Sequence, residues 1–192
     1  MRYDDDSVTT VAQASESGHE IVLRRRLHAG VAVDELIING VFAMDSASTD
    51  SELALAESLG ADPGRVLVGG LGLGYTARRL LDLGAAALDI VEISPALIDW
   101  ALQGLVQPAG ALAHDPRVSL HRGDVAELLT HQPTLPGLFG PWDAICLDID
   151  NGPSFLIHPD NARLYTREGV RSALSHVVVG GRLSLWSQGP SK

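Results

Sequence analysis

The sequence is poor in cysteine, in basic residues and in long apolar runs, and each shortage excludes something. Its single cysteine, Cys146 in the apolar run "AICLDI", rules out an internal disulfide. A reducing cytoplasm is the simplest setting for such a chain, and Cys146 reads as a small buried hydrophobe. No stretch approaches the ~18 apolar residues of a membrane span, so no membrane partner is expected. The opening "MRYDDDSVTT" is acidic and polar, unlike a signal peptide. Only 14 Lys and Arg stand against 24 Asp and Glu, for a net charge of −10. A chain this acidic repels a phosphate backbone and suits a cationic substrate. The one basic cluster is Arg24-Arg25-Arg26. Consecutive strand residues alternate faces, so the cluster reads as a solvated strand edge and no nucleic-acid partner is expected. The seven histidines show no metal-ligand spacing with Cys, Asp or Glu, so no metal is expected. No nucleophile elbow and no Ser/His/Asp order is visible.

The chain has 192 residues, 45% of them hydrophobic, enough for a full core. Residues 1–18 are polar and read as a frayed terminus. Residues 19–60 contain short β-prone runs broken at Ala29-Gly30 and Asn39-Gly40, followed by a linking helix in "STDSELALAESLG". Asn-Gly accepts the positive φ values of tight hairpin turns, so a small N-terminal β-hairpin region is expected. From 61 to 192 the texture becomes strand–helix alternation. The strands are "RVLVGG", "ALDIVEI", "RVSLHRG", "WDAICLDID" and "GRLSLWSQ", with helices between them. Near-continuous apolar strands predict a mostly parallel, Rossmann-like α/β sheet covered by helices on both faces. After the fifth strand nothing in the sequence closes that sheet edge; a longer chain or a second copy, as in a homodimer, would cover it.

Ligands of open α/β sheets bind beyond the carboxyl ends of the strands, near the point where strand order reverses. The first strand ends in a glycine loop containing Gly69, Gly70, Gly72 and Gly74. The second ends at Glu92-Ile93, the third at Gly123-Asp124 and the fourth at Asp148 and Asp150. Glu92, 18 residues beyond Gly74, is spaced to accept two ribose hydroxyls. Asp124 is placed to reach an adenine amino group or to cap the helix "DVAELL"; the two roles are compatible. Asp148 is either a base with a raised pKa or a strand-to-turn residue. Asp150, in "DNGP", reads as turn chemistry or as a substrate-side group, in a loop that could close over a substrate. His158 and Tyr165 are the other substrate-side candidates, Tyr165 also reading as pocket wall.

The glycine loop fits two patterns. "GYTA" after Gly72 completes the G-x-G-x-x-A dinucleotide form, whereas Gly70, Gly72 and Gly74 fit the looser G-x-G-x-G of S-adenosylmethionine-binding enzymes. The loop has no basic side chain for phosphate. Acids from neighbouring strand ends would repel a pyrophosphate but attract a sulfonium, which favours the second pattern.

Residues 36–188 resemble the spermidine/spermine synthase family of aminopropyltransferases, within the class I S-adenosylmethionine-dependent methyltransferase fold. "ELIINGVFAMD" is similar to the family's N-terminal hairpin, "VLVGGLGLGYTARRLL" to its glycine motif and "IVEISPALIDWA" to its second-strand acidic motif. "DPRVSLHRGDVAELL" and "WDAICLDIDNGP" are similar to its third and fourth. The resemblance implies that residues 61–192 bind S-adenosylmethionine or its decarboxylated form as co-substrate. Gly70, Gly72 and Gly74 would approach the nucleoside, Glu92 would hold the ribose, Asp124 would meet the adenine, and Asp148 would be the catalytic aspartate. The implied reaction is aminopropyl transfer to a small-molecule polyamine amine. Two alternatives are a methyltransferase and a non-catalytic nucleoside-binding homologue. The chain departs from the family pattern at Gly72, where an aspartate that binds the aminopropyl ammonium is usual. "VFAMDSASTDSELALAE" also lacks the family's polyamine-side glutamine, tyrosine and histidine. The resemblance further implies a C-terminal strand pair, which this sequence does not show.

Overall fold

A computed structural model describes residues 7–16, 18–28, 30–131, 135–149 and 159–187. The chain builds two sheets. The first is antiparallel, in the order β1-β2-β3-β4, from β1 (Val8–Glu16), β2 (His19–His28), β3 (Val31–Ile38) and β4 (Val41–Asp45). Two expectations change here. Residues 8–16, expected to be frayed, form β1, and the expected hairpin is a four-stranded sheet. The β3–β4 turn uses Asn39 (φ 53°) and Gly40 (φ 73°), the pair of positive φ values a primed turn requires.

The arginine triplet is also corrected. It lies on β2, an interior strand, and its alternation is matched by acids on β3. Arg24 and Arg26 both reach Glu35, while Arg25 on the opposite face pairs with Asp34 at 2.6 Å. These pairs hold Glu35 below the usual carboxylate range despite its burial. The triplet therefore sits on an interior strand rather than an edge, with Arg24 and Arg25 still open to solvent and its charges paired to acids of β3 and, through Arg26 and Asp45, of β4.

The second sheet is parallel, in the order β7-β6-β5-β8-β9, from β5 (Arg65–Gly69), β6 (Ala87–Glu92), β7 (Val118–Arg122), β8 (Trp142–Leu147) and β9 (Val177–Leu185). Its helices are α1 (Asp50–Glu57), α2 (Tyr75–Asp82), α3 (Pro95–Leu102), α4 (Ala109–Ala113), α5 (Val125–His131) and α6 (Arg167–Ser175). A 3-10 turn spans Pro159–Tyr165. The period of two sorts the strands' side chains between two cores. Val66, Val68, Ile90 and Cys146 pack with Leu55, Leu59 and Leu80 on one face, and Leu67, Val91, Ile145 and Leu147 pack with Val125 and Leu129 on the other. Burial pushes the Cys146 thiol far up, so it is inert as a nucleophile. Inside the second face Asp89 accepts Trp142 Nε1–H at 2.7 Å and pairs with Arg65 at 2.7 Å, tying β5, β6 and β8 together.

A third core joins the sheets. Ile21, Leu23 and Leu36 pack on Leu73, Ala96, Leu97 and Trp100, so the antiparallel sheet sits over the glycine loop and the start of α3. The strand order reverses at β5, whose neighbours β6 and β8 are reached by connections running in opposite directions. The loops after β5 and β8 therefore diverge there and leave a crevice.

Candidate functional site

A cavity of about 450 Å³ opens at this switch point, a size suited to a nucleoside-class ligand. Gly70, Gly72, Glu92, Ile93, Gly123, Asp124 and Asp148 all line it. Gly69 and Gly74 do not. A Cβ on Gly69 would press on Leu147 and Val125 at 2.8 and 2.9 Å, and one on Gly74 (φ 94°) would meet Ala109 backbone at 2.9 Å. Those two glycines serve close packing, and Gly74 starts α2. Asp150 and His158, and the loop between them, lie outside the described residues.

The remaining glycines bring backbone close to the cavity. Gly70 adopts φ 90°, and a Cβ there would fall 2.2 Å from the Asp148 carbonyl oxygen, so the ends of β5 and β8 can approach this closely only over a bare residue. At Gly72 (φ 50°) a Cβ would stand 2.8 Å from the Met44 sulfur. The space over Gly72 thus belongs to a thioether delivered by β4.

Glu92 is 5% exposed. Its Oε2 accepts the Leu71 amide at 2.7 Å and its Oε1 the Ser94 amide at 2.8 Å. Burial raises its pKa and these amides oppose the rise. Each oxygen keeps a lone pair, so the group can hold the loop and still accept hydroxyls. Asp124 caps α5, its Oδ1 accepting the Ala126 amide at 2.7 Å, while Oδ2 pairs with Arg163 at 3.1 Å. Both the capping geometry and the cavity position are present. Tyr165 stands behind the wall; its hydroxyl donates to the Trp186 carbonyl at 3.2 Å, and Trp186 lines the cavity.

Asp148 follows β8, its amide held by the Gly69 carbonyl at 2.8 Å. Its Oδ2 accepts the Thr76 hydroxyl at 2.5 Å, and among the described residues no cation pairs with it. Burial, with the Glu52 charge nearby, pushes its carboxyl up to about 6. A carboxylate so placed can exchange a proton near neutral pH.

Sequence reasoning missed three contributors. Glu52, in the first turn of α1, is 8% exposed and lines the cavity. Glu16 caps α3 from the other sheet, its Oε2 accepting the Ser94 hydroxyl at 2.8 Å and its Oε1 the Ala96 amide at 2.6 Å. Met44 covers Gly72. For Glu52, the available signal was its place beside the apolar run Leu53 to Ala56 of α1. For Glu16 and Met44 no local signal exists, because their partners are distant in the chain.

The parallel sheet with the antiparallel sheet above it is similar in fold to solved spermidine synthases. The chain aligns with a spermidine synthase in complex with the transition-state analogue AdoDATO (TM-score 0.61, 18% identity) over 88% of its own length and 52% of that chain. The Thermotoga maritima spermidine synthase aligns over the same shares, with a TM-score of 0.60 and 18% identity. Human methyltransferase-like protein 13, in complex with SAH, aligns over 68% of this chain and 59% of its own (TM-score 0.47, 23% identity). The chain therefore spans about half the length of the spermidine synthases it matches. No protein-family model and no curated protein sequence matches it. Among the described residues no helix is long and apolar enough to cross a membrane, and no group of three or more His, Cys, Asp or Glu is placed to hold a metal ion.

Proposed function

We propose that this protein binds an S-adenosylmethionine-type nucleoside at the switch-point cavity and transfers an alkyl group from it to an amine. The observation that carries the reading is Asp148, a carboxylate without a cationic partner among the described residues, facing the cavity beside the glycine loop. The donor set fits the nucleoside: Glu92 for ribose hydroxyls, Gly70 and Gly72 for close backbone approach, and Gly123 and Asp124 on the base side. Its acids suit a sulfonium and disfavour a pyrophosphate. Asp148 takes the proton of the acceptor ammonium. The freed nitrogen attacks the carbon bonded to sulfur, that C–S bond breaks with its electron pair passing to sulfur, and a neutral thioether nucleoside leaves. The protein's share is alignment and deprotonation.

Likeness to spermidine synthase favours an aminopropyl group as cargo and a polyamine as acceptor. Met44 over Gly72 favours the second reading, methyl transfer, because no acid stands there to repel the carboxylate that S-adenosylmethionine keeps and its decarboxylated form lacks. Calorimetric titration with S-adenosylmethionine, its decarboxylated form and methylthioadenosine separates these donors. At least one is expected to bind; if none does, both transferase readings fail. Asp148→Asn is expected to keep nucleoside binding and to lower turnover about 100-fold or more. Unchanged turnover would remove Asp148 from the chemistry.

A further inference from the structure

Among the described residues five carboxylates line the cavity: Glu16, Glu52, Glu92, Asp124 and Asp148. Three already have their charge answered. Glu16 is spent on the start of α3, Glu92 on two backbone amides, and Asp124 on the α5 cap and Arg163. Glu52 and Asp148 are left. Glu52 accepts the Ser51 hydroxyl at Oε2, and no described residue bonds its Oε1. Its main-chain carbonyl and the Asp148 Oδ2 both face the Thr76 hydroxyl, at 3.5 and 2.5 Å, which sets the two residues side by side. Glu52 is buried and Asp148 half-buried, and with no cation paired to either among the described residues the two suit a bound ammonium group.

The wall opposite is of another kind. Among the described residues the antiparallel sheet presents Ile21, Leu36, Ile38, Ala43 and Met44 to the cavity, and of its polar contributors there Glu16 is held by α3 and His19 by Asn39, whose side-chain nitrogen lies 2.6 Å from the His19 Nδ1. A second ammonium carried along that wall would lose its water and meet methyl groups. An alkyl chain would gain from the same burial.

Resting on the proposed transferase reading, we infer that the acceptor is a monoamine with an apolar body, its single ammonium held between Glu52 and Asp148 and its body against the Ile21–Leu36–Met44 wall. Glu52 is then a substrate-binding residue that orients the amine for Asp148.

The test compares 1-aminopentane with 1,5-diaminopentane, which differ in one terminal ammonium, and with pentan-1-ol, which lacks any. Each is titrated into the protein with and without saturating methylthioadenosine. 1-Aminopentane is expected to bind at least tenfold more tightly than either comparator. Glu52→Gln is expected to weaken it at least tenfold while methylthioadenosine binding holds. A diamine that binds equally or better overturns the inference, as does an unaffected Glu52→Gln. If Glu52→Gln fails to fold by circular dichroism, the three-ligand comparison on the natural chain decides alone. Binding of 1-aminopentane without any nucleoside binding would sink the transferase reading and leave the amine site standing. Nucleoside binding without 1-aminopentane binding would sink the acceptor class only.

Discussion

Replacing Asp148 by asparagine should make the folded protein more stable at neutral pH. The carboxyl is raised from 3.8 to about 6 by burial, with the Glu52 charge adding to the rise and the Thr76 hydroxyl opposing it. The native state therefore holds this proton more tightly than the unfolded chain does between roughly pH 4 and pH 6. Stability of the natural chain falls as pH rises through that window and stays lowered above it. A difference of about two in pKa, at ~1.36 kcal/mol for each, corresponds to up to about 3 kcal/mol. Asparagine carries no charge to desolvate, and its carbonyl oxygen still accepts the Thr76 hydroxyl, so no donor is orphaned. Thermal melts of both proteins from pH 4 to pH 8 at constant ionic strength should coincide near pH 4. They should separate through pH 6 to a plateau of about 6–12 °C in favour of the variant. A gap that is flat with pH, or a variant less stable at pH 8, would refute the burial argument.

Four further outcomes follow from the same geometry. Turnover (kcat/KM) should rise with pH through about 6 and then level off, because the base must first lose its proton; a profile that falls through that range excludes this role. Glu92→Ala should cost about 2–4 kcal/mol in urea unfolding, since it orphans the Leu71 and Ser94 amides, and should also abolish nucleoside binding by calorimetry. Glu16→Ala should cost about 1 kcal/mol by removing the α3 cap, with little effect if the cap is replaced by water. Gly72→Ala should cost about 1–3 kcal/mol from the φ of 50° and the Met44 sulfur; a double-mutant cycle with Met44→Ala should show positive coupling, and strict additivity would place the cost in the backbone alone.

The parallel sheet was legible because it is written in local pattern: unbroken apolar strands, Ser94-Pro95 at a helix start, and acids or glycines at successive strand tips. Ser94, directly before Pro95, accepts the Leu97 amide at 3.2 Å and so caps α3. The convergence of Gly70, Glu92, Asp124 and Asp148 on one edge followed from topology, since parallel strands point their ends the same way. The antiparallel sheet was read less well. β1 has no fully buried residue and gives the third core only the half-buried Val11, Ala12 and Ala14, so its stripe is faint and its place is set by pairing with β2. The arginine triplet looked solvent-facing because Asp34 and Glu35, which neutralise it, approach only once β2 and β3 pair. The roles open to the cavity acids were decided at the same level. Which carboxylates remain without a counter-charge depends on Glu16 crossing to α3, on Arg163 reaching Asp124, and on Met44 filling the space above Gly72. Those contacts join residues many positions apart, where local pattern carries no information and only the packed chain determines what meets.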